Sequence, residues 1–209
     1  MSFETILTSL DNGVLTITMN RPERLNAWTY QMGDELREAV EAGNANNDVE
    51  AFVLTGAGRG FCAGADIKDL FKAQADSGEV RGGSSEPRDW VALVRQSKPM
   101  VAAINGAAIG VGLTQVLPMD VLIASRDAKL SVRFIKMGLV PELASSHYLI
   151  ARTGFGNANE LMLSGKTVTG EEAGELGLVD KVCDAEDLEQ LAHATAKSMG
   201  ETRSQPLAW

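Results

Sequence analysis

The chain has 209 residues, 44% of them hydrophobic and 22% charged, which suits one domain with a real core, or one domain plus an appendage. Its net charge is −9 without any Lys/Arg cluster, which argues against nucleic acid as a partner. No apolar run reaches the length of a membrane span, since Met100 to Leu117 is interrupted by Asn105, Gly106, Gly110, Gly112 and Thr114. The opening MSFETILTSL lacks the basic start and apolar middle of a signal peptide, so the cytoplasm is the expected compartment. No internal repeat divides the chain.

Residues 4–10 and 14–19 read as β-strands, and Asp11-Asn12-Gly13 between them is a hairpin signal. After a loop over residues 20–24, Thr29 caps a helix to about Glu41, with Met32, Leu36 and Val40 at helical spacing. Ala51 to Thr55 is a buried strand leading into the permissive loop Gly56-Ala57-Gly58-Arg59-Gly60. Asp66 opens a helix to about Ala73, and residues 76–86 form a polar Gly/Ser-rich loop. Asp89 to Gln96 is a helix, Met100 to Ile104 a buried strand, and Gly110 starts a helix to about Leu117. Strands follow at 121–124 and 129–132, then a loop at 138–142. Helices are expected from Ser145 or Ser146 to Arg152 and over 157–164. Thr169-Gly170-Glu171-Glu172 is a capping box before a short helix. A strand at 178–182 and a helix from Asp184 to Met199 complete the series. Alternating helices and wholly apolar strands point to an α/β fold with much parallel pairing.

Two nucleotide motifs fail on inspection. Gly165-Lys166-Thr167 resembles the end of a P-loop, but Glu160 stands where its first glycine belongs. The glycines at 56, 58 and 60 do not fit G-x-G-x-x-G. His147 and His193 have no partner at metal-ligand spacing, so no metal site is expected. Cys62 and Cys183 form neither a metal motif nor a disulfide framework and read as buried or half-buried thiols.

Two strand-to-helix junctions carry more information: Gly60-Phe61-Cys62-Ala63-Gly64-Ala65-Asp66-Ile67 and Asn105-Gly106-Ala107-Ala108-Ile109-Gly110-Val111-Gly112. Both use small residues at the turn, which lets a ligand approach backbone N–H groups closely. Two such turns aimed at one oxygen would form an oxyanion hole. Tight strand–helix packing explains the same residues equally well.

These segments, FCAGADI and INGAAIGVG, resemble the two signature segments of the crotonase (enoyl-CoA hydratase/isomerase) superfamily. NRPERLNAW resembles its CoA-binding N-terminal segment, and GLVPELASS and LSGKTVTGEEAGELGLVDKV its later ones. The resemblance covers residues 4 to 185 and implies a ClpP-like spiral of ββα repeats. It implies a core over residues 1–199, with residues 200–209 as the start of a C-terminal helical region whose remainder is missing. It further implies an oxyanion hole from the N–H groups of Ala65 and Val111. Coenzyme A, part of the substrate rather than a separate cofactor, would lie along Arg24, Leu25, Ala27, Ala63 and Ile67. Gly64, Asp66, Lys68, Gly110, Thr114 and Phe134 complete the expected substrate-binding set. The basic groups available to an anionic ligand are Arg21, Arg24, Arg59 and Lys68. A homotrimer or dimer of trimers is implied as well. A physical argument points the same way, since parallel sheets need both faces covered and the chain has few helices left for that.

The sequence departs from the hydratases of that superfamily. Thr114 and Phe134 occupy the aligned positions of their two glutamates, and neither can act as general acid or base. One carboxylate remains, Glu142, followed by Ser145 and Ser146. It resembles the single catalytic glutamate of the Δ3,Δ2-enoyl-CoA isomerases, enzymes of fatty acid metabolism. Taken alone, Glu142 reads better as a helix-N-terminal charge satisfying the dipole, and the resemblance is what favours the base. Three expectations stand: an isomerase with Glu142 as base, another crotonase reaction such as a hydratase, hydrolase or lyase, and a non-catalytic acyl-CoA-binding protein.

Overall fold

The computed structural model describes residues 3–68 and 89–203. Strands β1 (Ile6–Asp11) and β2 (Val14–Met19) form the expected antiparallel hairpin. Asn12 and Gly13 turn it with φ of 47° and 83°, left-handed backbone that these two residue types tolerate. Thr29 accepts the Met32 N–H at 3.1 Å and opens α1 (Tyr30–Ala45), whose Met32, Leu36, Ala39 and Val40 are buried.

The next strands come in pairs: β3 (Ala51–Gly56) with β4 (Gly60–Cys62), β5 (Met100–Ile104) with β6 (Ala107–Ile109), and β7 (Val121–Ser125) with β8 (Lys129–Ser131). The first member of each pair joins a six-stranded sheet of order β1-β2-β3-β5-β7-β10, where β10 is Lys181–Cys183. The second joins a four-stranded sheet of order β4-β6-β8-β9, where β9 is Val168–Thr169. Apart from the β1/β2 and β8/β9 pairs, all pairing is parallel. Helices α2 (Trp90–Gln96) and α3 (Val111–Thr114) complete the repeating ββα pattern. The later helices are α4 (Ser145–Ser164), α5 (Gly170–Glu175) and α6 (Leu188–Arg203).

Side chains of β3 alternate between two cores. Phe52 and Leu54 join the large core with Met32, Leu36, Phe61 and Leu113, while Ala51 and Val53 face a second core formed with Leu188, Ala192 and Ala196 of α6. Helix α6 therefore covers the outer face of the large sheet. This corrects the reading that the chain has few helices left to cover the sheet.

Several boundaries differ from expectation for identifiable reasons. The helix expected over 110–117 ends at Thr114 and tightens into turns, with Val116 N–H on Leu113 O at 3.2 Å and Met119 N–H on Val116 O at 2.9 Å, around Pro118, which has no N–H to continue it. The strand expected at 178–182 begins only at Lys181. Leu178 and Val179 donate to the Ala173 carbonyl at 2.8 and 3.3 Å and wrap the end of α5 instead. The final helix starts at Leu188, after a turn closed by Asp187 N–H on the Asp184 carbonyl, and runs on to Arg203. The two helices expected at 145–152 and 157–164 are present as the two segments of α4, which meet at the non-helical Gly154 (φ 75°, ψ 165°). The capping box at Thr169 and Glu172 forms as expected. Strands β4, β6 and β9 were not foreseen, since two or three residues show no alternation. Ile67 and Lys68 are helical; the rest of that helix, the 76–86 loop and residues 204–209 lie outside the described residues.

Candidate active site

The two junctions singled out in the sequence lie side by side. Strands β4 and β6 pair in parallel, with Gly60 opposite Ala107 and Cys62 opposite Ala108. The turn after β4 bends at Gly64 (φ 106°), where a Cβ would sit 3.2 Å from the Ile109 carbonyl oxygen. The turn after β6 bends at Gly110 (φ 55°) and enters α3, where a Cβ on Gly112 would sit 2.1 Å from the Cys62 carbonyl oxygen. Small residues are thus required here by backbone meeting backbone, so tight packing is real. It does not use up the amides. Trp28 N–H donates to Gly64 O and Asp66 N–H to Trp28 O, both at 2.8 Å, and Gly110 N–H donates to Ser131 O at 2.9 Å. Among the described residues no acceptor takes the N–H of Ala65 or of Val111. Two unfilled donors on adjacent turns can stabilise an oxyanion.

Glu142 reaches this place from a distant loop. The hydroxyl of Thr114, three residues after Val111 in α3 and fully buried, donates to Glu142 Oε1 at 2.6 Å. Glu142 is solvent-exposed as a residue, but its carboxyl end turns inward onto Thr114. Desolvation there pushes its pKa above the ordinary glutamate range, and the Thr114 hydrogen bond opposes the rise. The backbone around it is held tightly. Leu143 and Ala144 both take left-handed φ (55° and 53°), and Ser145 N–H and hydroxyl both donate to the Glu142 carbonyl. Such backbone costs free energy unless its surroundings hold it, and it gathers at functional sites. Phe134, in a 3₁₀ turn at Arg133–Met137, packs against Gly110, where a Cβ would be 3.8 Å from its ring. Glu142, Thr114, Phe134, Gly110 and Val111 therefore converge.

The N-terminal segment runs along the first turn. Ala63 N–H donates to Leu25 O at 3.0 Å, and the Trp28–Ala65 bridge extends the contact. Leu25, Ala27 and Ala63 are half-buried, whereas Arg24, Ile67 and Lys68 are exposed. Arg21, counted above among the groups available to an anion, is engaged. It donates to Ala27 O at 2.5 Å and to Asp66 Oδ2 at 3.0 Å, tying the segment to the turn. Asp66, expected in the substrate-binding set, is this arginine's partner. Arg24, Arg59 and Lys68 pair with no acid among the described residues.

One residue that organises the site had no assigned role. Asn26, fully buried and at φ 55°, donates to Ala57 O at 2.9 Å and Gly60 O at 2.7 Å, and accepts Arg21 N–H at 2.8 Å. An asparagine two residues past a charged loop was the available signal, because asparagine tolerates left-handed backbone and bonds to nearby main chain. Cys62 is buried, and desolvation pushes its pKa up to about 11, so it is no thiolate at neutral pH. Among the described residues no group of acids, histidines and cysteines could hold a metal ion, and no helix is long and apolar enough to cross a membrane.

The family model described as enoyl-CoA hydratase/isomerase matches residues 9–208. The chain is 37% identical over 200 residues to 1,2-epoxyphenylacetyl-CoA isomerase of Escherichia coli, covering 94% of this chain and 76% of that one. It is 36% identical over 204 residues to a probable enoyl-CoA hydratase of Mycobacterium bovis, covering 96% and 77%. Its fold matches the crystal structure of an enoyl-CoA hydratase/isomerase from Pseudoalteromonas atlantica with a TM-score of 0.84 at 34% identity, covering 94% of this chain and 77% of that one.

Proposed function

The chain belongs to the enoyl-CoA hydratase/isomerase family of acyl-CoA enzymes, and within that family we propose that it is a Δ3,Δ2-enoyl-CoA isomerase. The observation that carries this reading is the Glu142 carboxyl, hydrogen-bonded to Thr114 one helical turn from Val111. The neighbouring acid, Asp66, is committed to Arg21. Thr114 and Phe134 bring no second carboxylate. Among the described residues the site therefore offers one base, which suits moving a proton within a substrate better than activating a water that needs both an acid and a base.

In this mechanism the thioester oxygen sits between the Ala65 and Val111 amides, which stabilise the charge that grows on it. Glu142 removes a proton from C2, and the C–H electron pair enters a dienolate. The same carboxyl then delivers the proton to C4, and the double bond settles between C2 and C3. The base, the two amides and an apolar acyl pocket suffice, with no cofactor beyond the coenzyme A of the substrate. A raised pKa makes Glu142 a stronger base than a surface glutamate. Glu142→Gln should lower turnover of 3-enoyl-CoA by roughly 10²–10⁴-fold while leaving affinity for coenzyme A nearly unchanged. Wild-type turnover in that variant would remove Glu142 from the mechanism.

A further inference from the structure

We infer that Thr114 is the positioning residue of this site: its hydroxyl holds one oxygen of the Glu142 carboxylate and leaves the other as the single oxygen that exchanges protons with the acyl chain. The inference rests on the reading of Glu142 as the base.

A glutamate carboxylate rotates easily about its last torsion. Glu142 sits on an exposed loop two residues after Val140, which is 87% exposed, and its own segment offers the carboxyl only the Glu142 N–H. Among the described residues, the one side chain that orients it is Thr114. Its side chain is fully buried, its N–H is held by Gly110 O at 3.0 Å, and its only side-chain proton goes to Oε1. At 2.6 Å the bond has the length of a hydroxyl donating to a charged carboxylate. No ion pair reaches Glu142 among the described residues, and no charged neighbour contributes to its pKa. The serine beside it, Ser145, donates to its carbonyl and not to its carboxyl. Among the described residues no other side chain bonds the carboxyl, and with Oε1 held by Thr114 the chemistry falls to Oε2. Because α3 carries both Thr114 and Val111, the bond also fixes the base to the same helix as one oxyanion donor.

A proton balance follows. The C2–H bond breaks, its electron pair enters the dienolate, and the proton rests on Oε2. The dienolate then forms the C4–H bond with that same proton, and Oε2 ends as it began. With Oε1 held, the proton has one carrier and returns to the substrate before exchanging with solvent.

The test uses Thr114→Val, which keeps the side-chain shape without the hydroxyl, and Thr114→Ser, which keeps the hydroxyl. Thr114→Ala replaces the valine variant should that variant not fold. The carboxyl of Glu142 is titrated by carbon-13 NMR in each full chain, and turnover of C2-deuterated 3-enoyl-CoA is followed for label reaching C4. Without the hydroxyl, the pKa of Glu142 moves upward, since a bond to the charged form is lost. The acid limb of the pH–rate profile moves with it, kcat falls on the order of 10- to 100-fold with KM less affected, and label transfer drops. Thr114→Ser restores all four. An unchanged pKa and unchanged label transfer in Thr114→Val, beside an inactive Glu142→Gln, would overturn the positioning role alone. Wild-type turnover in Glu142→Gln would overturn the base and this role together.

Discussion

Replacing Gly112 by alanine tests whether the two turns must touch. A Cβ at this position would lie 2.1 Å from the Cys62 carbonyl oxygen and 2.9 Å from both the carbonyl carbon and the Cβ of Cys62. Backbone atoms cannot rotate away, so the turns must part by at least 0.9 Å to bring that oxygen to 3.0 Å, the shortest contact a Cβ normally makes. Overpacking of this kind costs about 1–3 kcal/mol. Alanine in a helix recovers roughly 0.5–1 kcal/mol of that, which leaves a net loss of up to about 2.5 kcal/mol. The displacement falls next to Val111, so the two free amides lose their spacing, and an ångström of misplacement costs on the order of 10²-fold in rate. Gly156→Ala in α4 is the control, since a Cβ there meets nothing within 4 Å. It should gain a few tenths of a kcal/mol, up to about 1, and keep its activity. Urea unfolding followed by tryptophan fluorescence gives the stabilities, and acyl-CoA turnover gives the rates. If Gly112→Ala matched the wild type in both, the turns would not need their contact and the account of the small residues would be wrong.

Ala65→Pro deletes one of the two unfilled amides, and turnover should fall by roughly 10²–10³-fold while circular dichroism shows the fold retained; a folded, active variant would place the oxyanion site elsewhere. Because desolvation raises the pKa of Glu142, the stability it contributes is present below its unfolded pKa of about 4.3 and is lost as pH rises through the higher folded value. Glu142→Gln should therefore melt above the wild type at pH 7, with the gap shrinking in acid; an equal gap at both pH values would contradict the desolvation. We also propose that the protein assembles as a homotrimer or a dimer of trimers, supported by apolar side chains left open at Met137, Leu139, Val140, Phe155 and Leu163. Light scattering at micromolar concentration should report the mass of three or six chains, and a monomer would refute it.

Features encoded locally were readable in the chain. The Asp11-Asn12-Gly13 hairpin, the caps at Thr29 and Thr169, and the apolar strands at 51–55 and 100–104 each depend on neighbours in sequence. The small sheet was not readable, because β4, β6 and β9 are too short to show a period and exist only as pairing partners. The division of β3 between two cores left no trace either, since a strand buried on both faces does not alternate. At the site, the glycines and small residues of both turns announced a close backbone approach. What they approach is each other, a long-range fact carried by the Gly112–Cys62 and Gly64–Ile109 contacts. Glu142 and Thr114 were each visible, but their hydrogen bond spans 28 positions and follows only from the fold. The pairing of Arg21 was hidden for the same reason: its partner Asp66 lies 45 positions away.

The central claim is that this site moves a double bond and does not hydrate one. The most direct measurement incubates the purified protein separately with 3-enoyl-CoA and 2-enoyl-CoA and identifies the products by mass and chromatography. The account predicts that 3-enoyl-CoA becomes 2-enoyl-CoA at unchanged mass and that 2-enoyl-CoA gains no water. Formation of 3-hydroxyacyl-CoA from 2-enoyl-CoA, with 3-enoyl-CoA left unconverted, would contradict it.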